Sequence, residues 1–413
     1  MEHVRSIRIG LTFLLIVGLI FGCGIIDSTQ VQEEKIEIRE LTKQEKSIVT
    51  GANSFSMELL QTLAKKEKSK SFVASPLSIS LAFGMLMNGA EGSTYDELTE
   101  LFGLESLSRE EINAAAKALI PLLIELDPDV TTHIANSIWS RKGIEINETF
   151  LTQNKESYYA QIQALDFTDP ASVETINNWV NQQTEGLIEE ILQEIPELAI
   201  LYLVNAVYFK ADWTIQFDPE KTMEEPFYKA DGSKPLAPLM RVKEEFEFFE
   251  NEKWRAVQLP YGGEAYAFFA IQPVDFTDLE SFSYTFSNQD YQTILSNLKA
   301  DTVQVYLPKF ELDYKIQDFK NDLVSMGLTE VFGSDANLTR IHPSLDLHVS
   351  DVLHQAVLKV DEKGSEAAAV TTIEIRVTSV GPTEPTIRLD RPFLFFIRET
   401  GSDTILFMGR YSG

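Results

Sequence analysis

Few side chains in the sequence are spaced as catalytic groups are. Ser296 and Lys299 match the Ser-x-x-Lys pattern, in which a lysine activates a serine nucleophile, but no Lys-Thr-Gly segment accompanies them. The nucleophile elbow Gly-x-Ser-x-Gly, the zinc motif His-Glu-x-x-His and the glycine-rich phosphate loops do not occur. A hydrolase acting through Ser296 and Lys299 is therefore a hypothesis that rests on two residues, and we expect no catalytic residues and no enzyme.

Residues that bind metals are equally sparse. The chain of 413 residues has one Cys and five His. His342, His348 and His354 are spaced six residues apart, which matches no helical metal pair. We therefore expect no metal, no cofactor and no disulfide framework.

The charge balance restricts the partners of the protein. Lys and Arg total 35 against 63 Asp and Glu, so the formal net charge is −28. A surface of this sign repels polyanions, which argues against nucleic acid as a partner and against activation by heparin. Because 44% of the residues are hydrophobic, the chain has enough apolar material for a folded core.

The first 22 residues have the pattern of an export signal. Arg5 and Arg8 precede an uncharged, mostly apolar run at residues 10–22, which is too short to span a membrane as a helix. The run ends in Ile-Phe-Gly-Cys at Cys23 and resembles a bacterial lipobox, which predicts a lipoprotein with the lipid on Cys23. An uncleaved anchor helix with a buried Cys23 is the alternative, and both place the protein outside the cytoplasm.

The rest of the chain predicts one folded domain. Residues 23–46 are expected to be the lipidated Cys and a mostly polar tether that becomes helical toward its end, and residues 47–413 show no second domain boundary. Helical spacing at residues 55–63, 79–87 and 175–192 predicts a mainly helical first half. Strands are predicted in the second half at residues 201–209, 254–259, 265–271, 303–307, 356–360, 373–378 and 393–397. This order predicts an α+β fold around large, mostly antiparallel sheets.

Residues 361–381 form an unusual segment between two predicted strands. With a two-residue strand period, one uncharged face carries Ser365, Ala367, Ala369, Thr371, Ile373, Ile375 and Val377. Such a face is an aggregation hazard when it stays exposed. The pattern therefore predicts a segment that is able to become a strand, or one that already is an ordinary strand.

The same segment carries a family resemblance. Residues 360–369, Val-Asp-Glu-Lys-Gly-Ser-Glu-Ala-Ala-Ala, resemble the hinge of the reactive-centre loop in serpins. Further serpin-like motifs follow the family order from about Ser47 to the C-terminus. They are residues 75–80, residues 205–213 with Phe217, Thr222 and Phe227, residues 307–310, residues 326–328, the strand containing His354, residues 391–393 and residues 407–410.

The resemblance implies a serpin fold with three β-sheets, eight or nine helices and an exposed reactive-centre loop. It also implies an irreversible inhibitor of serine proteases, in which the protease attacks the loop and forms an acyl-enzyme. The cleaved loop then inserts into the main sheet, carries the protease along and distorts its active site. A non-inhibitory serpin that acts as a binding or chaperone-like protein is the alternative.

The resemblance also implies roles for single residues. In the loop hinge, Gly364 is expected to give the backbone freedom to bend and Ser365 to be the first side chain that enters the sheet. Glu366 is expected at an outward position. The hinge also includes Ala367, Ala368, Ala369, Val370 and Thr371. The shutter, a polar cluster under the main sheet, is expected to consist of Ser75, Ser78, Asn205 and His354. The tryptophan of the breach, the region after the central strand, is expected to be Trp213. Ordinary core packing is the alternative for His354 and Trp213.

The loop length implies a reactive bond between Thr378 and Ser379, with a shift toward Arg376, Val377 or Val380 left open. A small residue before the bond favours elastase-like or subtilisin-like targets, whereas cleavage after Arg376 indicates a trypsin-like target. Papain-like cysteine proteases also stay open as targets. We expect a monomer that is exported and held at the cell surface through its N-terminal lipid.

Overall fold

A computed structural model describes residues 36–275, 280–365 and 385–413. Within these ranges the chain forms nine α-helices and fifteen β-strands. The helices are α1 (Lys43–Glu67), α2 (Pro76–Met87), α3 (Gly92–Leu101), α4 (Arg109–Ile124), α5 (Glu148–Ser157), α6 (Ala171–Gln183), α7 (Phe282–Thr285), α8 (Asn288–Leu295) and α9 (Phe319–Ser325). The strands are β1 (Phe72–Ala74), β2 (Val130–Arg141), β3 (Gln161–Leu165), β4 (Leu201–Asp212), β5 (Met223–Pro226), β6 (Leu236–Glu250), β7 (Trp254–Tyr261), β8 (Tyr266–Pro273), β9 (Lys299–Pro308), β10 (Phe310–Lys315), β11 (Gln355–Val360), β12 (Gly364–Ser365), β13 (Thr386–Arg388), β14 (Phe393–Glu399) and β15 (Ile405–Tyr411).

The described strands form three sheets. The largest has the order β1-β15-β14-β8-β7-β6-β9-β13, with β5 paired to β6. A four-stranded sheet has the order β12-β4-β2-β3, and β10 pairs with β11 in the third. The predicted α+β class with three sheets and eight or nine helices is confirmed, while the expected reactive-centre loop falls on residues 366–384, outside the described ranges.

The centre of the largest sheet supplies the core. Every residue of β8 and β14 is buried, and Phe268 stacks on Phe395 across the two strands with ring centroids 5.6 Å apart. The uninterrupted apolar runs of these strands are typical of strands that are covered on both faces. Helices α1 and α2 pack against β15 and provide part of that cover.

Two elements differ from the sequence prediction. The first half is mainly helical as predicted, with α1 to α6, but it also contains β2, which the sequence did not predict and which pairs antiparallel with β4 from Val130 to Ser140. The helix predicted at residues 175–192 ends at Gln183, since Glu185 and Gly186 have φ angles of 49° and 88° and leave the helical region. The Asn177 side chain then accepts the backbone N–H groups of the returning chain, which folds it back onto α6.

Residues 36–42 lie against the body without forming a helix or strand. The Ile36 N–H donates to the Gly263 carbonyl at 3.1 Å, and Arg39 pairs with Glu45 at 2.6 Å. Thr42 and Glu45 form a capping box, so α1 begins at Lys43, within the last residues of the expected tether. None of the helices in the described ranges is long and apolar enough to cross a membrane.

Candidate functional site

The hinge residues form the short strand β12 beside the end of β4. Gly364 pairs with Asp212 and Ser365 pairs with Ala211 in antiparallel register. The chain reaches this position through a tight turn, in which the Asp361 N–H donates to the Gly364 carbonyl at 2.9 Å. Among the described residues β4 and β11 are not paired with each other, and β12 packs against both of them at one end.

Gly364 has a packing role in this structure, and the freedom to bend that was expected of it stays a prediction. Its φ angle does not lie in the left-handed region, so the bend does not depend on the conformational freedom of glycine. A Cβ at this position would overlap the carbonyl oxygen of Ala211. Glycine is therefore required because the backbones of β12 and β4 approach closely.

Ser365 is buried, with 1% of its surface exposed. Its Oγ lies 2.8 Å from the hydroxyl of Tyr261, which is also fully buried at the end of β7. Burial raises the pKa of Tyr261, so this side chain is a neutral phenol. The first hinge side chain thus already has a hydrogen-bond partner inside the protein.

Trp213 anchors the turn that leads into β12. Its backbone N–H donates to the Lys363 carbonyl at 2.5 Å, and its indole Nε1 donates to the Asp361 carbonyl at 2.8 Å. The ring stacks on Tyr261 with centroids 4.4 Å apart. The predicted breach tryptophan therefore contacts the hinge turn directly, which goes beyond plain core packing.

Glu362 links the hinge turn to two further segments. Its carboxylate accepts hydrogen bonds from Thr222 at 2.9 Å and from Lys309 at 2.8 Å. Burial alone would raise the pKa of Glu362, but the hydrogen bonds and the charge of Lys309 outweigh it and lower the pKa. The carboxylate is therefore ionised when it holds the turn.

Four predicted shutter residues lie beneath the sheet, in two linked pairs. The Ser75 N–H donates to Nε2 of the buried His354 at 3.0 Å, so the ring accepts there and carries no proton on Nε2. Burial lowers the pKa of His354 to about 4, which keeps the ring neutral at physiological pH. Ser75 also caps α2 by accepting the N–H of Ser78 at 3.2 Å.

The second pair extends to a residue that the sequence analysis missed. The Ser78 hydroxyl donates to Asn205, which in turn donates to Asn136 at 2.6 Å. Asn136 donates to the carbonyl of Tyr158 at 2.7 Å and so ties β4 and β2 to the end of α5. No sequence signal singled out Asn136, because β2 contains several other polar residues. The role of this cluster in keeping strands closed stays a prediction.

The remaining predicted sites fall into two groups. Cys23, Glu366, Ala367, Ala368, Ala369, Val370, Thr371, Arg376, Val377, Thr378 and Ser379 lie outside the described residues. Ser296 and Lys299 form no catalytic pair, because the Ser296 hydroxyl donates to the Gln292 carbonyl at 2.7 Å, at the end of α8. In the described ranges no three side chains of His, Cys, Asp or Glu come together in a way that could hold a metal ion.

This geometry suits the addition of a strand. On one side β4 is paired with β2 along nearly its whole length. On the other side, as far as the chain is described, β12 pairs with only the last two of the twelve residues of β4. A chain that continues from Ser365 in the same register would extend β12 along β4. Among the described residues the site holds no constellation for bond cleavage.

Comparison with known proteins agrees with this architecture. The chain matches the family described as serpin (serine protease inhibitor) over residues 50–413. Iripin-8 of Ixodes ricinus is 34% identical over 381 residues, which cover 90% of this chain and 94% of that protein.

Two solved structures give the same result. Tengpin, a thermophilic serpin in the native state, superposes with a TM-score of 0.82 at 28% identity over 92% of this chain and 96% of that chain. Human thyroxine-binding globulin complexed with thyroxine has a TM-score of 0.81 at 26% identity over 90% and 99% of the two chains. With the family match running through α1, the sheets and the hinge to the C-terminus, the chain belongs to the serpins.

Proposed function

We propose that the protein is a suicide-substrate inhibitor that traps serine proteases irreversibly. The observation that carries this proposal is β12, where Gly364 and Ser365 form strand pairs on the side of β4 that faces away from β2. The residues that follow, from Glu366 to Thr371, are small or β-branched apart from one glutamate, and they include neither Pro nor Arg. A strand of this composition enters a sheet without burying an unpaired charge.

The mechanism uses the folding energy of the inhibitor. The target serine attacks the loop, the peptide bond breaks with release of the new amino terminus, and the acyl-enzyme ester remains. Within the described ranges only the last two of the twelve residues of β4 pair on this side, which leaves the others for pairing with the freed loop. Each new hydrogen bond contributes about 0.5–1.5 kcal/mol net, so a full strand supplies several kcal/mol to pull and distort the protease before deacylation.

The target class follows from the loop sequence. We propose Thr378-Ser379 as the reactive bond, which suits the shallow or apolar specificity pockets of elastase-like and subtilisin-like proteases. Cleavage after Arg376 or Val377 is the competing assignment, and Arg376 requires a trypsin-like enzyme with an acidic pocket.

The location of the protein follows from its N-terminal segment. We propose that it is an exported monomer, anchored at the cell surface by a lipid on Cys23. In a bacterial host, the mature protein should partition into detergent and gain the mass of the acyl chains at its N-terminus. Loss of both properties in Cys23→Ser supports the anchor, and an unchanged wild-type mass contradicts it.

A binding serpin is the second candidate. The likeness to thyroxine-binding globulin in complex with thyroxine favours it, because that fold neighbour carries a ligand. A protein of this kind is cleaved in the loop as a substrate and forms no stable complex. The hinge composition argues against this candidate, since no bulky or charged residue other than Glu366 interrupts residues 365–371.

The deciding experiment mixes the purified protein with elastase, subtilisin and trypsin in turn. We expect a band at the summed mass that resists denaturation, together with a C-terminal peptide that starts at Ser379. Cleavage by every enzyme without such a band, and without a gain in heat stability, would refute the inhibitor and favour the binding serpin.

A pair of loop variants tests insertion itself. By the strand period, Thr371 lies on the same face as Ser365, whereas Thr372 lies on the other face. We expect Thr371→Arg to convert the protein into a cleaved substrate, because the charge would enter the sheet with no partner. Thr372→Arg adds the same charge and should still form the complex. Equal behaviour of the two variants contradicts strand insertion.

A further inference from the structure

Two arginines from distant parts of the chain converge on one carboxylate. Arg109 begins α4, and Arg340 lies in the segment that follows α9. Their guanidinium groups lie 3.9 Å and 2.9 Å from the same oxygen, Oε1 of Glu91. The carboxylates of Glu110 and Asp96 also lie close enough to act on Arg109 or Tyr95, so the cluster is a mixed group of charges in which two guanidinium groups share one carboxylate oxygen.

The inner part of this cluster holds donors without acceptors. Arg109 packs over the ring of Tyr95, with its guanidinium carbon 4.1 Å from the ring centroid. Arg109 Nη2 donates to the Ala90 carbonyl at 2.8 Å, but Nη1 of Arg109 and the hydroxyl of Tyr95 are buried and have no hydrogen-bond partner within the described ranges. A buried charged group whose donor has no acceptor destabilises the protein. An acceptor bound at this donor would therefore be stabilising.

The cluster has a solvent-exposed side, formed by Glu91 and Arg340, and a nearly buried side, formed by Arg109. The side chain of Glu91 is 43% exposed, that of Arg340 is 30% exposed and that of Arg109 is 11% exposed. The backbone of Glu91 is held independently, because its N–H donates to the Asn337 carbonyl at 2.9 Å. The carboxylate can therefore swing outward while its backbone stays in place.

The arginines repel each other. Burial lowers the pKa of Arg109, and the charge of Arg340 lowers it further, while Tyr95, Glu91 and Glu110 oppose both effects only in part. Arg340 is nevertheless held in position, since its Nε donates to the Asn88 carbonyl at 3.1 Å and its Nη2 donates to Gln153 at 3.4 Å. A second acceptor of negative charge would relieve this repulsion.

We propose that Arg109, Arg340 and the hydroxyl of Tyr95 form a binding site for one small oxyanion, a sulfate or phosphate group, which enters as Glu91 swings outward. Guanidinium groups bind such oxygens with strong, charge-assisted hydrogen bonds. Only a single sulfate or phosphate group can reach Arg109, because the side chain of Arg109 is almost closed to solvent. This site is separate from the hinge, and the proposal does not rest on protease inhibition.

The test measures the melting temperature during titration with sodium sulfate or sodium phosphate, at ionic strength held constant with sodium chloride. A bound ligand stabilises the native state in a saturable way. We expect saturation in the wild type and an apparent Kd at least about tenfold weaker in Arg340→Gln, since one charge-assisted bond is lost. Glu91→Gln removes the competing carboxylate and should bind the anion several-fold more tightly.

Arg255→Gln is the matched control. Arg255 has a similarly exposed side chain, at 29%, and pairs with one carboxylate, Glu250, at 2.7 Å. Its loss removes the same charge and should leave the apparent Kd unchanged. No saturable shift with either anion, or equal shifts in Arg340→Gln and the wild type, overturns the proposal in favour of an ordered water at Arg109. If Arg340→Gln does not fold, the Glu91→Gln variant decides the question by itself. An apparent Kd in Glu91→Gln equal to that of the wild type then overturns the proposal.

A sulfated oligosaccharide separates two sources of the same group. We expect its terminal sulfate to bind no more tightly than free sulfate, because the proposed site contacts a single sulfate group and the rest of the oligosaccharide would extend into solvent. Tight binding of the oligosaccharide that survives in Arg340→Gln overturns the proposed ligand and assigns the affinity to another surface.

Discussion

The hydrogen bond between Tyr261 and Ser365 allows the pairing of the hinge to be measured. Tyr261→Phe removes only the hydroxyl and retains the ring that stacks on Trp213. A buried hydrogen bond contributes about 0.5–1.5 kcal/mol, and leaving the Ser365 hydroxyl buried without a partner costs about 1–3 kcal/mol. We therefore expect the free energy required to open the hinge to fall by about 1.5 kcal/mol. This corresponds to a roughly tenfold increase in the equilibrium constant for opening.

The assay is hydrogen exchange of the backbone amides of residues 361–365, followed by mass spectrometry. Their exchange should accelerate about tenfold in Tyr261→Phe, because the hinge leaves β4 more often. Tyr291→Phe is the control, since Tyr291 is also fully buried and its hydroxyl donates to Asp403 at 2.7 Å, away from the hinge. That variant should leave exchange at residues 361–365 unchanged.

A double-mutant cycle separates the hydrogen bond from packing. In a Ser365→Ala background, the hydroxyl of Tyr261 has lost its partner, so Tyr261→Phe should cause little further acceleration. Unchanged exchange in the single variant would refute the hinge pairing. An acceleration of the same size in both backgrounds would show that Tyr261 acts through packing alone.

Three further predictions concern the other contacts. His354 has a pKa of about 4 in the native protein and an ordinary pKa of 6.5. Between these values the unfolded state binds more protons than the native state. The free energy of unfolding should therefore fall by up to about 3 kcal/mol as the pH drops from 6.5 to 4. Replacement with His354→Asn should flatten this part of the curve of melting temperature against pH, and an unchanged slope contradicts the assignment. Arg39 lowers the pKa of Glu45 to about 2, and this stabilisation is present above pH 4.5 and lost as the pH falls toward 2. Because Arg39 is about half exposed, Arg39→Ala should cost only about 1 kcal/mol at pH 7, and its melting temperature should approach that of the wild type near pH 2. In Gly364→Ala the new Cβ meets Ala211, so β12 should detach and limited proteolysis should cut residues 361–365 faster, whereas equal cutting rates would contradict the close approach.

Local patterns in the sequence were sufficient for much of the fold. Ser75 and Pro76 predict the start of α2, and apolar runs predict β8 and β14, because capping and strand burial depend on neighbouring residues. The prediction failed for β2 and for the end of α6. There the pairing of β2 with β4 and the hydrogen bonds of Asn177 with the returning chain decided the outcome.

The α+β class, the family motifs and the composition of the hinge can be read from the sequence, since these depend on residue types at fixed local spacing. The partners of these residues become visible only in the folded structure. Tyr261 meets Ser365 across 104 residues, and Arg340 meets Glu91 across 249. The packing also supplies a reason for glycine at position 364, the close approach of β12 to β4. Periodicity along the chain carries no information about such distant contacts, because they arise only when the sheets and helices pack together.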